Sequence, residues 1–242
     1  MIEQASGHSV TVVITAFNEE ETVQAAIMAT DAALQRFTSD YEIIVVDDGS
    51  RDRTGVIVDE AARSNSRVRP IHNPTNMNLG YNLRRAVAEA RKEYTFAFVS
   101  ADNYPNPEHF HNLLSAIGAK DIVIGYLIGY GNRTWLRRML SIVFTKIMNV
   151  LFWNTIRYYN GPLIVPTRLW RTVPMTTDGF AYMAEVTATL LKRGASFTEM
   201  PFALTPERKG FNIAVLKRNI WSVTKAVASL FWRLNIKKQY YV

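Results

Sequence analysis

The sequence predicts an α/β fold built on a doubly wound, mostly parallel sheet, and three observations lead there. The run YEIIVVDDGS at 41–50 sets four β-branched residues side by side with no polar alternation, as in a central strand covered on both faces. Strand-like and helix-like patterns alternate through the first half of the chain, the order of a parallel sheet with crossover helices. The central run stops at Asp47 and Asp48, followed by glycine and serine. Open α/β sheets hold their ligands at the carboxyl ends of strands, so function is to be sought at these acids.

The elements follow in order. SVTVVITA at 9–16 is the first strand, and FNEE at 17–20 turns into a helix reaching about residue 37 on the apolar spacing Val23, Ile27, Ala33, Leu34. After the central strand, Ser50, Arg51 and Asp52 cap a helix to about residue 64. A third strand is expected at 68–72, a helix at 80–92 and a fourth strand at 94–100. Pro105 and Pro107 close that strand, before a short helix at 108–117 and a fifth strand at 121–125. The texture then changes. Leu136, Met139, Leu140, Val143, Phe144, Ile147, Met148 and Leu151 make 135–153 an amphipathic helix. A strand at 163–165, a helix at 178–193 and a last strand at 196–200 precede a tail that repeats the amphipathic theme from residue 214. There Leu216, Ile220, Val223, Val227 and Leu230 share one side, and Lys217, Arg218, Lys225, Arg233, Lys237 and Lys238 crowd the other.

No linker or repeat interrupts the 242 residues, which read as one domain: a nucleotide-binding half at 1–125, an acceptor half at 126–212 and a basic tail at 213–242. A composition 48% hydrophobic and 20% charged excludes a disordered chain. With no cysteine and no basic-then-apolar leader at 1–8, a cytoplasmic location is expected. No stretch reaches the roughly 18 uncharged apolar residues of a spanning helix, so the expectation is peripheral, not integral. The net charge of +7 is uneven: 131–177 holds seven Lys or Arg and no Asp or Glu, and 205–242 holds eight against Glu207 alone. A basic half faces nucleic acid or an anionic membrane. Nucleic-acid surfaces interleave basic residues with stacking aromatics on polar ground, whereas these basic residues flank apolar stripes, so a membrane surface is the expected partner and nucleic acid is not.

Paired acids at strand ends accept hydrogen bonds from a nucleotide's base or ribose, or hold a divalent cation against a diphosphate. A tight turn with a helix cap is the bland alternative for DDGS. A second acid, Asp102, ends the buried run FAFVSAD, so two loops can converge on one crevice. His8, His72, His109 and His111 lack metal-ligand spacing, and no serine or cysteine nucleophile motif is present.

Four stretches, TAFNEE at 15–20, VDDGSRD at 46–52, NLGYN at 78–82 and SADNYP at 100–105, resemble in order and spacing the inverting family 2 glycosyltransferases, nearest to the dolichyl- and polyprenyl-phosphate sugar transferases. WLRRMLS at 135–141, EMPF at 199–202 and ERKGFN at 207–212 extend the likeness, which covers about 10–219. The resemblance implies a GT-A-like fold. It also implies that Ala16, Phe17, Glu19, Asp47 and Asp48 surround the nucleoside. Asp102 would approach the donor diphosphate and its Mg²⁺ or Mn²⁺ with Ser100 beside it, and Arg137, Arg138 and Arg208 would meet phosphates. Glu185 matches a carboxylate near the sugar. Three departures stand out: Ser100 replaces the first acid of the family's Asp-x-Asp, GYLI at 125–128 lacks the arginine that follows the fifth strand, and Asn82 replaces the second glycine of its motif.

The expected activity is inverting transfer of a hexose from a nucleoside diphosphate sugar, of the GDP-mannose or UDP-glucose type, to polyprenyl phosphate at the membrane surface. A sugar hydroxyl as acceptor, with Asp178 or Glu185 as base, is the second expectation. A catalytically silent nucleotide-sugar or lipid-binding subunit is the third. The residues name no membrane subunit.

Overall fold

The computed structural model describes residues 7–102, 106–128, 135–179, 181–203 and 213–240, and the side chains of all these except 98, 99, 137 and 213–220. Strands β1 (Val10–Ala16), β2 (Tyr41–Asp47), β3 (Val68–His72), β4 (Tyr94–Ser100), β5 (Ile122–Leu127), β6 (Leu163–Pro166) and β7 (Phe197–Phe202) form one sheet in the order β3-β2-β1-β4-β6-β5-β7. The helices are α1 (Val23–Phe37), α2 (Thr54–Ser64), α3 (Leu79–Glu89), α4 (Pro107–Ser115), α5 (Trp135–Phe152), α6 (Thr167–Trp170), α7 (Tyr182–Lys192) and α8 (Ile213–Phe231), the last running into a π-helical turn, Trp232–Ile236. This is the expected α/β, GT-A-like architecture.

Every residue of β2 is buried, as its unbroken apolar run demands. Alternate side chains feed two cores. Ile43 and Val45, with Val12 and Ile14, pack beneath α1 and α4; Ile44 and Val46, with Val13, pack beneath α3 and α7. α7 is buried at every position from Tyr182 to Leu190, so it is a core helix with no wet face.

The sheet departs from all-parallel pairing at one strand: β6 runs antiparallel to both β4 and β5, while β1, β2, β3 and β4 pair in parallel and β5 pairs with β7 in parallel. Nothing in the four residues LIVP encodes direction, because a strand covered on both faces reads the same either way. α6, a single turn seating the fully buried Trp170, is too short to carry a periodic signal.

α5 differs from a simple amphipathic helix. Thr145, Met148 and Phe152 form its inner stripe, yet its outer face is also apolar, with Trp135 72% and Val150 74% exposed. Its end meets the C-terminal turn through the Phe152 and Phe231 rings, 6.4 Å apart, and through Asn235 Nδ2, which donates to the Leu151 carbonyl at 3.1 Å. Among the described residues no helix is long and apolar enough to cross a membrane.

Candidate functional site

β1, β2 and β4 end side by side. Ala16 pairs with Asp47 across β1 and β2, and Thr15 pairs with Ser100 across β1 and β4. The ladder continues one step into the loops: Asp48 N–H donates to the Ala16 carbonyl at 2.8 Å, and Ala101 N–H to the Thr15 carbonyl at 3.0 Å. Asp48 and Asp102 therefore stand on opposite sides of the β1 end, at the edge where α/β sheets bind ligands.

The first loop is stitched to the second. Asn18, at φ 56°, donates through its N–H to Ser50 Oγ at 2.9 Å and accepts at Oδ1 from Arg51 N–H, also at 2.9 Å. Glu19 N–H donates to Thr54 Oγ1 at 2.7 Å. Asp52 Oδ1 accepts from Thr54 N–H at 3.0 Å just ahead of α2, whose N-cap position is Arg53 and not the expected 50–52. Burial raises the Asp52 pKa, but hydrogen bonds from Thr54 and the Glu20 N–H outweigh it and hold the carboxyl below its ordinary range. Gly49 sits at φ +74°, and a β-carbon there would stand 2.6 Å from the Thr75 backbone, so this turn accepts only glycine.

Between these loops lies a cleft of about 290 Å³ that brings together Ala16, Phe17, Glu19, Asp48, Ser100 and Asp102. Phe17 presents a half-exposed ring to it. Asn78, Leu79, Asn82, Asp178 and Gly179 complete the wall. That wall is held by close approach: Gly80 N–H donates to the Asp178 carbonyl at 2.9 Å, and a β-carbon on Gly80 would fall 2.1 Å from the Thr177 oxygen. Asp178 also pairs with Arg84 at 2.5 Å.

Asp48 is buried and occupied. Its Oδ1 accepts from Asn73 Nδ2 and Met77 N–H, each at 2.8 Å, and its Oδ2 from Asn78 N–H at 3.2 Å. It thus fixes the 73–78 segment that forms the cleft wall. Ser100 Oγ donates to Asp102 Oδ1, which leaves Oδ2 of Asp102 for other ligands.

Asp47, Glu185 and Arg138, expected near the ligand, do not line the cleft. Adjacent strand residues face opposite sides, so Asp47 turns away from Asp48; it accepts from Ser50 N–H at 3.0 Å and meets His72 Nδ1 at 3.1 Å. Glu185 is buried and saturated: it accepts from Thr176 N–H and Thr177 N–H at 3.0 Å, and from Arg233 Nη2 at 2.7 Å. Its role in the fold is to tie the segment before Asp178 to the C-terminal turn. Arg138 is half-buried on α5. The Arg137 side chain and all of Arg208 lie outside the described residues.

Among the described residues no group of three or more His, Cys, Asp or Glu could enclose a metal ion. The donor set fits a sparsely held cation. Mg²⁺ keeps most of its waters and leans on substrate phosphates, so Oδ2 of Asp102, with the Ser100 hydroxyl nearby, would be its protein anchor.

A mostly parallel sheet with an acid at each side of the β1 end has the layout of an α/β ligand-binding edge. Residues 11–187 match the family model described as glycosyl transferase family 2, and the chain belongs to that family. A dolichyl-phosphate beta-glucosyltransferase of Trichomonas vaginalis is 31% identical over 156 residues, which cover 58% of this chain and 46% of that protein. An undecaprenyl-phosphate 4-deoxy-4-formamido-L-arabinose transferase of Pseudomonas fluorescens is 31% identical over 146 residues, covering 59% and 41%. The chain thus matches less than half the length of these curated relatives. Among solved structures, glucosyl-3-phosphoglycerate synthase from Mycobacterium tuberculosis, with Mn²⁺, UDP-glucose and phosphoglyceric acid, superimposes with a TM-score of 0.75. It covers 93% of this chain and 80% of its own at 16% identity, a likeness of fold.

Proposed function

We propose that this chain transfers one hexose from a nucleoside diphosphate sugar to a polyprenyl phosphate at a membrane surface, with inversion. The observation that carries the reading is the cleft itself, with Asp48 on one side of Phe17 and Asp102 on the other. The two relatives' names, which specify dolichyl and undecaprenyl phosphate, support this acceptor class.

In this reading the nucleoside lies over Ala16 and Phe17, beside Asp48 and Glu19, and the diphosphate points toward Asp102. A divalent cation held at Asp102 would neutralise charge on the departing diphosphate. An acceptor phosphate oxygen attacks the anomeric carbon from the face opposite the leaving group. The new C–O bond forms as the bond to the diphosphate breaks, and the electron pair leaves with the nucleoside diphosphate. A phosphate monoester, with a second pKa of about 6, is already mostly ionised at neutral pH, so it needs positioning more than a base. Arg137, Arg138 and Arg208 are the proposed cations for that phosphate, a guanidinium offering a forked pair of donors. Membrane contact is assigned to the outer face of α5 and to α8, where Trp221, 64% exposed, stands beside Lys225. The cytoplasmic face is the proposed side.

Asp178 favours a second reading. It lines the cleft with its side chain 52% exposed, the position a general base for a sugar hydroxyl would need. Labelled sugar nucleotides incubated with polyprenyl phosphate, then extracted into organic solvent, test the choice. Label in the lipid phase that mild acid releases as free sugar is expected. Label appearing only on an added sugar hydroxyl overturns the phosphate reading.

A further inference from the structure

We propose that Asn82 is a specificity-determining residue, its side-chain nitrogen donating a hydrogen bond to an acceptor atom on the nucleobase of the sugar donor. This rests on the nucleotide sugar occupying the cleft.

Arg85, a guanidinium, can only donate. Its Nη1 donates to one side-chain atom of Asn73 at 2.6 Å, so that atom is the amide oxygen. The other Asn73 atom is then the nitrogen, and its two hydrogens are spent on Asp48 Oδ1 at 2.8 Å and on Asn82 Oδ1 at 2.6 Å. Rotating the Asn82 amide would set two NH₂ groups against each other. Its oxygen is therefore fixed toward Asn73 and its nitrogen is fixed away from it. That nitrogen, Nδ2, is buried and has no acceptor among the described residues. Asn82 is wholly buried yet belongs to the cleft wall.

A buried donor without an acceptor calls for an explanation, and a ligand atom supplies one. Its neighbourhood narrows the ligand. Asp48 and the Asn82 oxygen accept from the same Asn73 nitrogen, so a carboxylate stands next to the Asn82 amide. A diphosphate is repelled there and belongs on the Asp102 side of β1. What fits an acceptor next to a donor is a neutral, flat edge carrying an N–H next to a lone pair, the edge of a nucleobase. Asn82 stands where the resemblance expects glycine, which has no side chain to read anything, so the discrimination belongs to this chain.

Calorimetry on the full chain with UDP, GDP, ADP, CDP and inorganic pyrophosphate, all with Mg²⁺, tests this. Asn82→Asp keeps the acceptor for Asn73 and turns the donor into a second acceptor. It should weaken the best-bound nucleoside diphosphate tenfold or more and change the ranking of the four bases. Asn82→Ala, which adds no charge, should weaken the same ligand about fivefold. Pyrophosphate binding should hold in Asn82→Ala, and both variants should melt cooperatively, at a midpoint lowered by the altered hydrogen bond from Asn73. Unchanged ranking and affinity in both folded variants overturn the proposal, and so does an equal loss for pyrophosphate in Asn82→Ala. If the unaltered protein binds none of the four nucleotides, the donor-site reading itself fails and the assignment of Asn82 falls with it.

Discussion

The half of the molecule up to β5 and the half from α5 onward handle apolar side chains differently. In the first, the exposed large hydrophobic residues are scattered, and one of them, Phe17, faces the cleft. In the second they gather: Trp135, Met139, Ile142, Val143, Ile147, Val150 and Trp153 are all exposed along one stretch. Isolated exposed apolar residues need no explanation, but a contiguous patch implies a partner. In the proposed reading the chemistry sits at the ends of β1, β2 and β4 and the docking surface on α5, so substitutions can address them one at a time.

The largest expected effect concerns the link between them. Glu185→Ala leaves the largely covered Arg233 guanidinium without its carboxylate, and removing one member of a buried pair costs about 3–5 kcal/mol, an upper value here because Arg233 keeps some exposure. A fall in the thermal midpoint, with the Asp178 side of the cleft loosened, is expected from melts of both forms. An unchanged midpoint would mean that the cleft wall before Asp178 and the C-terminal turn are not joined through this pair.

Next comes Asp102→Asn, which should lower kcat by about 100-fold, or ~2.7 kcal/mol of transition-state stabilisation, while liposome binding is retained. Loss of both together would erase the division of labour.

Trp135→Glu combined with Val150→Glu should do the reverse. Losing two apolar anchors, each contributing about 1.5–3 kcal/mol when fully buried, should cut co-sedimentation with anionic liposomes at least tenfold and leave nucleotide affinity unchanged. Full co-sedimentation of the double variant would remove α5 from the membrane assignment.

The smallest effect lies at His72, wholly within the first half. Burial lowers its imidazole pKa, but Asp47 and Asp59, each 3.1 Å from a ring nitrogen, outweigh burial and raise it above 6.5. The fold therefore favours the protonated ring. Its contribution is fully present below the unfolded value of 6.5 and is lost as pH rises through the raised folded value. Thermal melts across that window should show a slight decline that His72→Gln lacks.

Much of this was legible in the residues. β1, β2 and β4 end within a residue of their expected limits, because buried apolar runs stop where Asn, Asp and Gly begin. That Asp47 and Asp48 cannot both face a ligand follows from strand alternation, a signal present in the sequence. Other features depend on contacts far apart in the chain. Arg233 meets Glu185 across 48 residues, and no local pattern announces that pairing. Asn82 is visible as a departure from a glycine motif, but its pinned orientation needs Arg85 and Asn73 in three dimensions. α5 reads as amphipathic because its inner and outer apolar stripes merge when counted along the helix.

The reversed strand has a consequence for how such a protein can diversify. A parallel β6 would oblige the chain leaving β5 to travel the full height of the sheet before re-entering it. Because β6 is antiparallel, departure at Leu127 and return at Leu163 occur at one edge, where Gly125 N–H donates to the Pro162 carbonyl at 2.7 Å. The 128–162 excursion is therefore a cassette with adjoining ends. Its length and outer face can be exchanged, by drift or by grafting, as long as Met148, Phe152, Ile156 and Tyr159 keep their places in the core.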